Sequence, residues 1–452
     1  MRNLIKKDKT LKKRKNVTKT ADAGRRILAV HHVLPFFAEK SMKRVLLVGA
    51  VLVAVSCGLE EVSRRPQSGA GDIWFGPGIN AGKEDPDRKV VYVTAVEYPD
   101  GYDWRTDVEK GSVKCSLVVY ADGVPMMKVP AGDEYDVSSD PDMHRMSEGH
   151  LYTDYSTDSE TVIKKNGKEV IRYQGREMIC GLLAEGNDVY TLGHPRKGEG
   201  FTFRRNGEIL VGRDCGRSFA RLYRDGSSIC FAFNEPVMSQ KDTISRYYHV
   251  KDGNVSQAAV REDVRKVWDI LSSDDEVCYL ASVVGISSPV LFHSGRMQAL
   301  DMPEGAEMLT CRLLAEDGFI YVEGLYICPG RPVTSGIWDV EGKADLFDEG
   351  MTVSSICMGG DGICCVLNGT SSYRDGLIYR CGEMFQMPEG YASVGSNPAM
   401  MIDGIFHAGL SSLEGEEPLI WKDGITTRLD MNGFISTIST SGGQASQDNV
   451  LD

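Results

Sequence analysis

Eight short segments, each closing on a glycine, recur along this chain at spacings of 40 to 47 residues. They read SLVVYADG, ETVIKKNG, FTFRRNG, RYYHVKDG, PVLFHSG, SGIWDVEG, GLIYRCG and PLIWKDG. They end on Gly123, Gly167, Gly207, Gly253, Gly295, Gly342, Gly382 and Gly424. A period this regular means one supersecondary unit used many times. Such a unit cannot bury its apolar surface alone and must stack on its neighbours.

The turns identify the unit. Asp122-Gly123, Asn166-Gly167, Asn206-Gly207, Asp252-Gly253 and Asp423-Gly424 are the dipeptides that favour two-residue hairpins, where both central residues need positive φ. A second run of strand-forming residues precedes each hairpin. These runs are VVYVTAVE from Val90, HLYTDY from His150, DVYTLG from Asp188, ICFAF from Ile229, VCYLAS from Val277, FIYVEG from Phe319, ICCVLN from Ile363 and IFHAG from Ile405. A third run lies before that in most units, starting at Met178, Leu309 and Ser354. About four antiparallel strands in a unit of 40–50 residues describe a propeller blade. Leucine-rich solenoids have shorter repeats, and no 3.6-residue periodicity supports helical repeats.

The expected fold is therefore all-β: a β-propeller of about eight four-stranded blades over residues 89–441. Seven blades is the alternative, if the first or the fourth unit is not a blade. The first unit lacks its leading strand, and GFISTIST (Gly433 to Thr440) has no unit after it. The C-terminal strand is expected to complete the first blade and close the ring. The units resemble the loose tandem propeller repeats of exported bacterial proteins. They lack the signatures of WD, sialidase-type and kelch repeats, so the resemblance implies a fold and no activity.

Upstream of the repeats the chain changes character. Met42-Lys43-Arg44 is a short basic start, and Val45 to Val55 are eleven small or aliphatic residues. Ala54-Val55-Ser56-Cys57 follows. This is the pattern of a secretory signal, and eleven residues fall short of the ~20 that cross a bilayer. The stretch resembles the lipobox of bacterial lipoproteins, with Ala54 where Leu is usual. The resemblance implies cleavage before Cys57 and lipidation of that residue. Residues 42–56 are then the signal peptide. Residues 1–41 read as an extension upstream of the true start at Met42, or as an atypical leader. Residues 57–88 read as a flexible tether and 442–452 as a disordered tail. The implied location is the bacterial cell envelope, at the outer membrane, on its surface or periplasmic side. The membrane is engaged through the lipid.

Charge separates the two regions. Of 51 Lys/Arg and 64 Asp/Glu, 14 and 3 respectively lie in residues 1–56. The remainder carries a net charge of −24. So acidic a body repels phosphate backbones, which argues against nucleic acid as a partner.

No motif for catalysis, metal or cofactor stands out. There is no CxxC, HExxH, GxSxG or P-loop among the 12 Cys, 8 His and 49 Gly. Cys180, Cys311 and Cys357 fall at one repeating strand position and Cys230, Cys278 and Cys364 at another. That spacing reads as small core residues, since equivalent positions in non-adjacent blades are too far apart to bridge. The acidic stretch from Asp133 lacks the spacing of a calcium loop.

The site expectation is topological. Connections between the second and third strands of the blades share one face. Ligands favour such loops on a rigid scaffold. The candidates there are Tyr98, Tyr102 and Trp104 in the first blade and His194 and Arg196 in the third. The sixth contributes Tyr326 and Arg331, and the seventh Tyr373 and Arg374. Aromatics beside Arg suit stacking on sugars or gripping a peptide. The expected function is a lipid-anchored, non-catalytic envelope protein that binds a glycan or a protein. The alternative is a propeller polysaccharide hydrolase or lyase with two carboxylates near the channel mouth.

Overall fold

The computed structural model describes residues 89–106, 115–130, 144–195, 200–213, 220–225, 228–238, 243–251, 254–273, 276–316, 319–359, 362–370, 376–395 and 397–440. It also gives the backbone of Trp74–Phe75. These residues belong to one compact unit, Lys43–Asp452. Among the described residues every regular element is a β-strand.

The strands form eight antiparallel sheets in chain order. The second blade shows the pattern: His144–Ser147, His150–Ser156, Glu160–Lys165 and Lys168–Gln174, paired in that order from the centre outward. The fourth unit, the weaker reading in sequence, is also a complete blade. Its strands are Ala220–Asp225, Ser228–Met238, Thr243–Lys251 and Asn254–Gln257. Eight blades stand and seven do not.

A recurrent clamp fixes four of the outer hairpins. Asp122, Asn166, Asn206 and Asp423 hold left-handed φ of 44–52°, each followed by a glycine at positive φ. Their backbone N–H groups donate to the carbonyls of Val91, Leu151, Val189 and Phe406. Their side-chain oxygens accept the N–H of those same four residues at 2.9–3.2 Å. Asn and Asp tolerate that conformation and bring an acceptor to it. A single Asp or Asn therefore sets each of these turns and ties it to the second strand of its blade.

Apolar clusters fill the gaps between blades. Leu151 of the second blade joins the core of the first, Ile163 and Leu182 meet between the second and third, and Phe203 and Phe231 stack at 3.8 Å between the third and fourth. One large cluster spans blades four to six around the fully buried Trp338. Ile356 and Ile337 meet between six and seven, Val366 and Phe406 between seven and eight. Ile420 of the eighth blade meets Val93 and Ile435 of the first. Both faces of each sheet are covered, which is what forces radial stacking.

The ring closes as the sequence implies. Gly433–Thr440 is fully buried and pairs antiparallel with Val91–Glu97, from Glu97↔Gly433 to Val91↔Thr440. It is the innermost strand of the first blade. A Cβ at position 433 would lie 1.8 Å from the Val96 carbonyl, so only glycine can start this strand. Within the segment expected to be a tether, the backbone of Trp74–Phe75 pairs with Val124–Pro130 as an extra outer strand. The segment expected to be a signal peptide, Cys57 and the expected tail at 442–452 lie outside the described residues.

Candidate functional site

The first blade's long loop turns its aromatics inward. Tyr98 and Trp104 are buried, and Tyr102 is half-buried. Trp104 lies 5.2 Å and Tyr98 6.4 Å, ring to ring, from Phe434 of the closing strand. Asn432 Nδ2 donates to the carbonyls of Pro99 and Tyr102 at 3.0 and 2.9 Å. Arg105 stands over Trp104 at 5.8 Å and donates to Asp103. Buried apolar contact of this size holds the two chain ends together.

The other candidates are dispersed. His194 is half-buried at the end of Asp188–Pro195. Burial pushes its pKa down, against a hydrogen bond with the Gly200 backbone and the charge of Glu177. Tyr326 is buried edge-on to Trp338 at 6.3 Å, and burial raises its hydroxyl pKa. Arg331 is exposed and ion-paired with Glu349. Arg196, Tyr373 and Arg374 lie outside the described residues. Loop order on a face was readable from the repeat, but side-chain direction was not.

Among the described residues two ion pairs are buried, one between the fourth and fifth blades and one within the third, facing the second. Arg221 Nη1 meets Asp269 Oδ2 at 2.6 Å, with both side chains all but fully buried. Leu313 of the sixth blade's innermost strand donates its N–H to Asp269 at 2.6 Å and accepts from Arg221 Nη2 at 2.9 Å. The pair thereby occupies backbone groups at the inner edge of a sheet, which has no further strand to bond. The second pair is bidentate. Arg204 reaches Glu177 Oε1 at 2.7 Å and Oε2 at 3.2 Å, and its guanidinium lies 4.1 Å from the ring centre of Tyr173 on the second blade. Tyr173 also donates to Glu177 at 3.1 Å. Burial, then the Glu177 charge, raises the Tyr173 pKa. In both pairs the carboxylate is held by an arginine and hydrogen bonds, which makes it a structural group.

An open cavity of about 290 Å³ lies on the fifth blade, beside the segment that enters it from the fourth. Tyr279 and Phe292 form its floor as parallel rings 4.4 Å apart. Arg261, His293, Arg296 and Met297 surround it. Arg261 is held by both oxygens of Asp263 at 2.9 and 2.8 Å. His293 lies 3.2 Å from Ser294 Oγ, which donates to Glu276 at 2.8 Å. Arg296 makes no ion-pair contact among the described residues, although its charge helps to lower the pKa of Glu341, which Lys343 holds. Sequence reading missed this cavity because its walls come from three separate segments that look like ordinary strands and turns. The signal present was the cationic hairpin His293-Ser294-Gly295-Arg296 on a strongly acidic body. Among the described residues no three His, Cys, Asp or Glu converge as metal ligands.

No protein-family model and no curated protein matches the chain. Some solved structures are similar to it. The β-propeller domain of the Trilobed protease from Pyrococcus furiosus is 11% identical with a TM-score of 0.42, covering 66% of this chain and 92% of that one. The acylaminoacyl peptidase of Pyrococcus horikoshii is 12% identical with a TM-score of 0.42; the match covers 73% of this chain and 55% of the peptidase. A eukaryotic initiation factor is 10% identical with a TM-score of 0.39, covering 78% and 98%. These likenesses concern architecture alone.

Proposed function

We propose that this chain is an exported, lipid-anchored binding protein of a bacterial envelope, and that the cavity on its fifth blade takes an acidic group of a glycan. The sequence supports export and anchoring through Ala54-Val55-Ser56-Cys57. The cavity supports the ligand class. One observation carries it: the guanidinium of Arg296, outside ion-pair contact with any described carboxylate, stands beside an aromatic floor, with Arg261 and His293 close by. Guanidinium groups recognise carboxylates and sulfates in a planar, two-point fashion. An aromatic floor suits the apolar face of a sugar ring. The remainder of the chain carries a net charge of −24, so attraction for an acidic ligand has to come from a local cluster of this kind.

The hydrolase reading needs two carboxylates free to act on one bond. Glu177 and Asp269, the buried carboxylates at the third and fifth blades, are each bound to an arginine.

Calorimetry on residues 58–452 with neutral and acidic polysaccharides tests the proposal. Saturable heat with acidic polymers alone is expected, weakening as salt rises. Arg296→Ala should lower the affinity about tenfold, the loss of one charge-assisted contact. Silence toward acidic polymers would overturn the ligand assignment, and a sustained heat rate would mean turnover.

A further inference from the structure

The seventh blade departs from the turn clamp seen in the first, second, third and eighth. Its outer hairpin turns at Cys381-Gly382, with Cys381 at φ 48°. The backbone half of the clamp is kept, since Cys381 N–H donates to the Ile363 carbonyl at 2.9 Å. The side-chain half is missing, because cysteine offers no oxygen to the second strand. Asp122, Asn166, Asn206 and Asp423 all supply one. In its place the Cys381 sulfur lies 3.7 Å from the sulfur of Cys364. Cys364 belongs to Gly362–Gly369 and has Arg380, the residue before Cys381, as its register partner. Cys381 is exposed and Cys364 is buried.

We infer that Cys364 and Cys381 form a disulfide in oxidising surroundings, a covalent clamp where four other blades use a hydrogen bond. The geometry requires little: two sulfurs already in contact must close to ~2.05 Å. Cys365 is next in sequence but fully buried, and its neighbour in the adjoining strand is Tyr379. The chemistry balances as thiol–disulfide exchange. The Cys381 thiolate attacks the disulfide of an oxidant, either glutathione disulfide or a disulfide-donating envelope protein. A mixed disulfide forms and one oxidant thiol leaves. Cys364 then gives up its proton and attacks the Cys381 sulfur, releasing the second oxidant thiol. Two protein S–H bonds are lost, one S–S bond is made, and two electrons reduce the oxidant. Burial and the neighbouring Cys381 raise the Cys364 pKa, so the exposed Cys381 is where exchange begins.

The inference rests on the export reading for its setting, and the test separates the two. The full chain is isolated from the envelope of an exporting host with its thiols trapped at harvest. A second sample is fully reduced, desalted and exposed to glutathione disulfide. Peptide mapping then locates any link. The expected result is a Cys364–Cys381 link in both samples, lost in Cys381→Ser and kept in Cys365→Ser. The linked chain should melt roughly 3–6 °C above its reduced form. Cys381→Asn, which restores the oxygen clamp, should show no dependence on reductant. A link formed only with glutathione would uphold the pair and sink the export reading. Two free thiols after glutathione treatment, or a link through Cys365, would overturn the inference.

Discussion

Asp269 carries more structural weight than any surface ion pair in this molecule. It accepts from the Arg221 guanidinium, and its own backbone sits in the fifth blade while Leu313 of the sixth donates to it. Removing one partner of a buried pair leaves the other charged and unsolvated. Asp269→Ala should therefore cost about 3–5 kcal/mol in urea unfolding, whereas replacing both partners by apolar residues of similar volume should recover most of it. A loss below about 1 kcal/mol for the single variant would show that water reaches Arg221. His144 makes a second residue-scale prediction. Its Nε2 lies 2.8 Å from Ser436 Oγ on the closing strand. Burial, then Arg145, lowers its pKa to about 3. Burial lowers that of His407 to about 4, with Lys422 adding to the effect. Both imidazoles are neutral in the fold and gain a proton on unfolding between those values and about 6.5. The unfolded chain then holds more protons, so stability falls as pH drops through that window, by about 1.4 kcal/mol per unit for each group. His144→Gln should flatten that fall by one group's share in melting curves taken between pH 7 and 4. An unchanged slope would refute the assignment.

At the scale of the element, the hairpins were the legible part. Each of the eight expected turn glycines that is described has positive φ: Gly123, Gly167, Gly207, Gly295, Gly342, Gly382 and Gly424. Backbone conformation forces the residue type there, so the sequence records it. The inner strands were harder to see. Ala399–Ile402 is short and ordinary in composition, and only its pairing with Ile405–Ser412 marks it as a strand. The loop aromatics show the limit most clearly. Tyr98, Tyr102 and Trp104 look like a ligand surface in sequence, yet Phe434, more than 300 residues away, is what Tyr98 and Trp104 pack against. Local pattern cannot reveal a long-range contact of that kind. The cavity on the fifth blade was hidden for the same reason, being assembled from segments 259–261, 277–279 and 292–297.

For the whole molecule, closure is the central physical claim. Seven blades form from consecutive segments, and the first takes its innermost strand from the other end of the chain. Without Gly433–Thr440, Val91–Glu97 would present an unpaired edge to the centre, and Ile435 and Ile438 would leave the gap between the eighth and first blades. The ring is thus a cooperative object. It provides a rigid support for the cavity. Native-state hydrogen exchange tests closure most directly, by following the amides of residues 433–440 beside those of Val91–Glu97. Joint exchange, at the slow rate of global unfolding and shared with central strands such as Glu276–Val283, is the predicted result. Rapid exchange of 433–440 while those central strands stay protected would contradict a ring closed by its two ends.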